Sequence, residues 1–208
     1  MSIDKRTHII NAAIDLFAEK GFEGTSIREL AQKADVNVAM VNYYFGSKEK
    51  LFEALLEMKA SYMRDKLEEL EGDKTLNEMD KIDIIIETYV ERIFSNPNFH
   101  KVLQQELLVT HRGELQQNVI NIFIQNTKNM TSIIEKGIRK KLFKKVDPQL
   151  TYASIIGTIN QVVNSKSFCR ILISNGNPDF NPYTDEAFKK RLINHIKQMM
   201  RSHLLINP

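Results

Sequence analysis

The segment DVNVAMVNYYFGSKEKLF, Asp35–Phe52, sets an amide, two phenols and a phenyl ring side by side at Asn42, Tyr43, Tyr44 and Phe45, with Lys48 just behind. These side chains suit a polyanion. The Asn42 amide can hydrogen-bond a base edge, adenine by preference. Tyr43 and Tyr44 can pack a ring against their own helix while the hydroxyl reaches a phosphate. The Lys48 ammonium can pair with phosphate or stay solvated. Upstream, Arg28 could read guanine with two N–H groups, clamp a phosphate, or pair with an acidic neighbour and do neither. Val38, Ala39 and Met40 offer small or apolar side chains that can touch a thymine methyl and let the backbone approach closely. Thr25, Ser26 and Asn37 are helix-capping types, and a capped helix start also turns its N–H groups toward a phosphate backbone. Val41 and Phe45 read as core.

No residue set suggests catalysis. The histidines are His8, His100, His111, His195 and His203, and no HExxH, GxSxG, Walker or GxGxxG pattern occurs. A non-enzyme without metal or cofactor is expected. His195 and His203 read as structural or interface residues. Cys169, the single cysteine, reads as a small buried hydrophobe and fits a reducing, cytoplasmic setting. No apolar run is long enough for a membrane span, and the N-terminus lacks the pattern of a signal peptide.

The elements that must carry these residues are helices almost throughout. Ile9, Ala13, Leu16 and Phe17 line one face of a first helix, and Gly21 suits its C-terminal cap. Ser26-Ile27-Arg28-Glu29 matches a capping box, so a short second helix starts there. Asp35 falls where the chain must turn sharply, in a left-handed conformation that Asp tolerates. Asn37 caps a third helix, Val38 to Tyr44, which Gly46 ends. Two short helices joined by so tight a turn make a helix-turn-helix, which holds the third helix proud of the surface, free to enter a major groove about 12 Å wide. A fourth helix follows from Lys48 to Leu70. Thr75-Leu76-Asn77-Glu78 reads as a second capping box before a fifth helix, a sixth reaches Leu108, and a seventh runs from Glu114 to Leu142. Asp147-Pro148 opens an eighth that continues to Ser174, and a ninth spans Thr184 to Leu205. The fold class is therefore all-α, with about nine helices, a three-helix domain over residues 1–47 and a larger helical domain over residues 48–208.

Charge alone would not locate the partner. The 208 residues carry 29 basic and 26 acidic side chains, a net charge of +3, yet residues 1–50 hold equal numbers of each. A neutral domain can still bind a duplex if its cations share one face, and its salt dependence should then be shallow. The basic run KGIRKKLFKK, residues 136–145, suits the C-terminal end of the seventh helix better than a nucleic-acid patch.

The stretch TSIRELAQKADVNVAMVNYYFGSKEKLF resembles the DNA-binding signature of the TetR family of bacterial transcriptional regulators, through Thr25, Leu30, Ala31, Ala34, Val36, Tyr43, Tyr44, Phe45, Lys48 and Leu51. The resemblance covers roughly residues 8–56. It departs at Asp35, where the family usually has glycine, and at Asn42, where many members have another aromatic. It implies a dimeric, ligand-responsive regulator, most often a repressor, that binds a double-stranded DNA operator, with a ligand-binding and dimerisation domain after the DNA-binding one. The small-molecule effector is left unnamed. Candidate ligand-binding residues are polar groups within apolar faces: Tyr62, Tyr89, Gln105, Asn126 and Asn160. Candidate dimer residues are Ala153, Gly157 and Asn164 on the eighth helix and Phe188, Leu192, Ile196 and Met199 on the ninth, which the family brings into a four-helix bundle. The competing reading is a helical adaptor that uses the same exposed aromatics to bind protein.

Overall fold

A computed structural model describes residues 4–108, 113–164, 166–174 and 176–206, without the side chains of Leu108, Asn164, Lys166 and Phe168. The described residues form ten helices: α1 Lys5–Lys20, α2 Ile27–Lys33, α3 Val38–Phe45, α4 Lys48–Gly72, α5 Glu78–Ser95, α6 Pro97–Leu108, α7 Gly113–Arg139, α8 Pro148–Asn164, α9 Lys166–Ser174 and α10 Glu186–Leu204. The all-α expectation holds. α8 and α9 together occupy the span read as one helix from Pro148 to Ser174, on either side of Ser165, which lies outside the described residues.

The chain divides into two compact units. One comprises Met1–Met63 with Asn98–Ile124, the other Arg64–Pro97 with Gln125–Pro208. The division between the units falls inside α4, and the first unit takes in α6 and the start of α7. Long-range hydrogen bonds explain why. The Lys101 ammonium of α6 donates to the Ala18 carbonyl near the end of α1, at 2.6 Å. The Asn98 amide donates to Asp15 of α1 at 2.9 Å, and Asn118 of α7 donates to Glu53 of α4 at 2.7 Å.

The first unit's core gathers Ile9, Ile10, Ala13, Leu16 and Phe17 from α1, Leu30 and Ala31 from α2, Val41 and Phe45 from α3, and Leu51, Phe52, Leu55 and Leu56 from α4. Phe17, Phe22 and Phe52 form a ring cluster with centroids 5.1 to 5.5 Å apart. Phe22 lies in the turn after α1, so the cluster pins that turn to α4. Its aromatic edges and faces meet favourably, beyond the area they bury.

The second unit pairs α5 with α10. Acids four residues apart on α5, Asp83, Glu87 and Glu91, meet Arg201, Lys197 and Lys189 of α10. Buried Ile82, Ile86, Val90, Ile193, Ile196 and Met200 lie on the same two helices. α7 ends at Arg139, three residues short of the expected Leu142. Lys141 turns left-handed, with φ 57°, and the N–H groups of Leu142 and Phe143 fold back onto the Gly137 carbonyl. Phe143 then lies so close over Gly137 that a Cβ there would come within 2.2 Å of its ring. Most of the basic run is engaged within the unit. Lys136 pairs with Glu71 at 2.5 Å, Lys140 with Glu78 at 2.6 Å, and the Lys144 ammonium donates to the Ser202 carbonyl.

The second expected capping box does not form. Asn77, not Thr75, caps α5, accepting from the N–H groups of Met79 and Asp80 at 2.9 Å and donating to the Asp80 carboxylate. Thr75 instead turns to Asp73 at 2.6 Å. An asparagine with an acid three residues on satisfies the same orphan donors.

Candidate nucleic-acid interface

Capping fixes where α2 and α3 begin. Ser26 and Glu29 form the expected reciprocal box, Ser26 N–H donating to Glu29 at 2.8 Å and Glu29 N–H to the Ser26 hydroxyl at 3.3 Å. The Lys20 ammonium donates to the same carboxylate at 2.6 Å. These contacts, Lys20 first and Ser26 next, pull the Glu29 carboxyl down from 4.5 to about 2. The end of α1 is thereby tied to the start of α2. Between α2 and α3, Asp35 takes φ 49°, the left-handed turn read from the sequence. Asn37 accepts from the Met40 N–H at 2.7 Å, and α3 begins.

This turn sets α3 with one side in the core and one side out. Val41 is 1% exposed and Phe45 7%. Asn42, Ala39 and Asn37 are exposed, Val38 is 38% exposed and Tyr43 84%. Met40 and Tyr44 are half-buried and pack against the core. The Tyr43 and Tyr44 rings meet edge to face, 5.4 Å apart, so one ring is anchored and the other is carried outward on it. Arg28 and Ser26 are exposed on and before α2. The outward set is an amide, a phenol, small apolar groups, a hydroxyl and a guanidinium. It can hydrogen-bond base edges and phosphate oxygens and touch a methyl group.

Two of the expected residues face inward. Thr25 is 2% exposed, and its hydroxyl donates to the Gly21 carbonyl at 2.8 Å. Its role is to close the turn after α1, because a threonine hydroxyl reaches a carbonyl four residues back. The Lys48 ammonium donates to the carbonyls of Phe22 and Thr25, at 2.9 and 3.1 Å, and sits 4.3 Å from the Phe22 ring centroid. It thus locks α4 to the turn before α2, leaving one of its three N–H groups for an outside acceptor. Sequence spacing placed Lys48 beside the interface but could not show that backbone carbonyls 23 and 26 residues earlier would take its donors.

The candidate ligand residues are shared between the two units. In the first unit Tyr62 is 55% exposed and Gln105 is exposed. In the second unit, Asn126 is buried on α7. The Tyr89 hydroxyl has burial, above all, and then Tyr152 to raise its pKa well above the usual range. Asn160 keeps a buried side-chain oxygen without a partner, as Asn129 does its amide nitrogen. Asn129 and Tyr152 are additions to the sequence reading. Asn129 was detectable, three residues after Asn126 on one apolar face; Tyr152 was not, because it follows a proline start with no polar partner nearby in sequence.

The candidate dimer residues also divide. Ala153 and Gly157 of α8 are exposed, with open space where a Gly157 Cβ would stand. Met199 is half-buried. Ile196 is fully buried, Leu192 nearly so, and Phe188 stacks on Phe94 and meets Phe180 edge-on. Ile196 therefore serves the unit's own core, on the side of α10 turned to α5. Asn164 lies outside the described side chains. A concavity of about 650 Å³ opens beside α8, α9 and α10, lined by Thr158, Val162, Ile173, Phe188, Arg191, Leu192, Asn194, His195 and Gln198. On α10 the polar residues that line it are Arg191, Asn194, His195 and Gln198, of which the sequence reading singled out only His195. No described helix is long and apolar enough to cross a membrane.

Comparison with known proteins agrees with this geometry. Residues 9–55 match the family described as bacterial regulatory proteins, tetR family, and residues 75–164 match the tetracyclin repressor-like C-terminal domain. The probable HTH-type transcriptional regulator YttP of Bacillus subtilis is 50% identical over 56 residues, 27% of this chain and 27% of its own length. The HTH-type transcriptional repressor NicS of Pseudomonas putida is 32% identical over 159 residues, 73% of this chain and 71% of that protein. The crystal structure of the transcriptional regulator FadR from Bacillus subtilis in complex with stearoyl-CoA shares the fold, with a TM-score of 0.72 and 22% identity over 91% of this chain and 96% of that one. With both domains matched in order, and a relative of this identity and span, the chain belongs to the TetR family of bacterial regulatory proteins.

Proposed function

We propose that this protein is a dimeric repressor that reads an operator through α3 and releases it when a small molecule binds the second unit. The exposed edge of α3 carries the reading: Asn42, Ala39, Val38 and Tyr43 point out while Val41 and Phe45 hold the helix from behind. Such an edge fits a major groove, with Asn42 reading bases and Tyr43 and Arg28 meeting phosphate or guanine. Two-fold pairing then sets half-sites about 34–36 Å apart or a multiple of it. Repression follows the name of NicS. An exposed Gly157 and Ala153, beside the concavity on α8 and α10, support pairing through that side.

Buried Asn126 and Asn129, with half-buried Asn160 and Tyr89, support a ligand site in the second unit. Stearoyl-CoA, which the Bacillus subtilis FadR structure holds, is the first effector to try. A ligand shifts a two-state equilibrium only by its difference in affinity for the two states.

Selection of a preferred duplex from a random pool tests the reading. A palindromic site should emerge. Asn42→Ala should relax preference at particular base pairs by about 1–3 kcal/mol, and Tyr43→Ala should weaken all duplexes alike. Recovery of no duplex, with both variants matching wild type, would leave the adaptor reading in its place.

A further inference from the structure

The equal numbers of acids and bases in residues 1–50 leave open which cations a duplex would meet. Lys20 is held by Glu29, and Lys48 by two carbonyls. Arg6, in the first turn of α1, is held differently. It is exposed, and its guanidinium carbon stands 5.4 Å from the centroid of the Phe45 ring. Among the described residues no carboxylate pairs with that guanidinium. The neighbouring acid, Asp4, turns its carboxylate to the Arg6 backbone N–H instead. Phe45 is the last residue of α3. Its ring lies 6.2 Å from that of Tyr44, which in turn meets Tyr43 at 5.4 Å. A cation thus sits one ring beyond the tyrosine pair, on the recognition helix but not of it.

We propose that Arg6 is a phosphate anchor for the α3 face, reaching the DNA backbone beside the groove from the first helix. The inference rests on the reading of α3 as the groove-binding helix. A guanidinium held over a ring is attracted by the ring's electrons and spends none of its N–H groups on a protein acceptor, so they stay available to a phosphate. The N–H edge is the one a pair of phosphate oxygens takes bidentately. The ring contact also orders the side chain before DNA arrives, which lowers the entropy lost on binding. Phe45 therefore has two roles, inward to the core and outward as the platform for Arg6.

The test uses the full chain and the duplex that the wild type selects from a random pool, with an unrelated duplex beside it. Affinity is measured across about 50 to 200 mM salt. Arg6→Met keeps an unbranched chain over Phe45 without the charge, and Arg6→Gln serves if it folds poorly. Either should bind both duplexes about tenfold more weakly and lower the salt slope by about one unit. Arg6→Lys should keep the slope and recover part of the affinity. Wild-type affinity and slope in the neutral variants would overturn the proposal. So would a loss of affinity with the slope unchanged, which would mark a structural role. A wild type that binds no duplex would remove the groove reading and the anchor with it, whereas a wild type that binds and ignores Arg6 removes the anchor alone.

Discussion

Around α3 in the first unit, side chains close the ends of helices; along α5 and α10 in the second, charge pairs bridge one helix to another. Thr25, Lys48 and Lys101 each donate to backbone carbonyls at or just beyond the C-terminal end of α1. Asn37 and Ser26 accept the first N–H groups of α3 and α2. Around α3 the interior polar groups are thus taken up locally, and the groups left over lie on the outer edge. The second unit runs charge pairs along α5 and α10 and, among the described residues, leaves the amide nitrogen of Asn129, the amide oxygen of Asn160 and one oxygen of Asp83 buried without partners. Buried polar atoms left so are costly, and a water or a bound molecule can satisfy them. One unit is built to present an edge, the other to hold an interior.

The comparison can be broken most sharply at Phe52. Removing it empties the ring cluster that pins the turn before α2, so Phe52→Ala should cost about 3–5 kcal/mol in denaturant unfolding and lose duplex binding with it. A cost below about 1 kcal/mol would mean that the capping contacts alone hold the turn. Next comes the α5–α10 ladder. Arg201→Met leaves Asp83 charged and buried, but Arg201 is half-exposed and solvent screens part of the pair, so the expected cost is about 1–3 kcal/mol. Asp83→Leu with Arg201→Met should return close to wild type, since the lone charge rather than the lost pair is the penalty. A double variant as unstable as the single one would show that the pair itself carries the stability.

The smallest effect belongs to Glu29. Its carboxyl titrates at about 2 when folded, against 4.5 unpaired, so the folded state holds its proton less tightly. The Lys20 and Ser26 contacts therefore stabilise the first unit above about pH 4.5, and that contribution fades as pH falls toward 2. Melting followed against pH should show Glu29→Gln less stable than wild type near neutrality, with the gap closing in acid. A gap of constant size across the acid range would assign the stabilisation to shape rather than charge.

Much of the first unit was legible because its signals are local. The Ser26–Glu29 box, the Asn37 cap and the turn at Asp35 each depend on residues within a few positions of one another, and each formed where the pattern put it. Thr75 shows the limit. Its box pattern was valid, but Asn77 offered a better cap two residues on, and competing local solutions cannot be ranked by pattern alone. Lys48 shows a different limit. Its type and spacing suited phosphate, yet its partners are carbonyls brought near only when α4 packs beside the turn. The contacts of α6 show the same limit: only the fold returns Asn98 and Lys101 to α1.

By itself the sequence determined that the chain is helical, that α3 follows a tight turn, and which side of α3 is apolar. Those properties follow from neighbouring residues and helical periodicity, which act over one or two turns. Tertiary structure alone decided that Arg6 lies on Phe45, that Lys48 caps the first helix's turn, and that Ile196 serves the core while His195 and Arg191 face outward. Each of these depends on which helices meet, and so on contacts between residues tens of positions apart that no local spacing encodes.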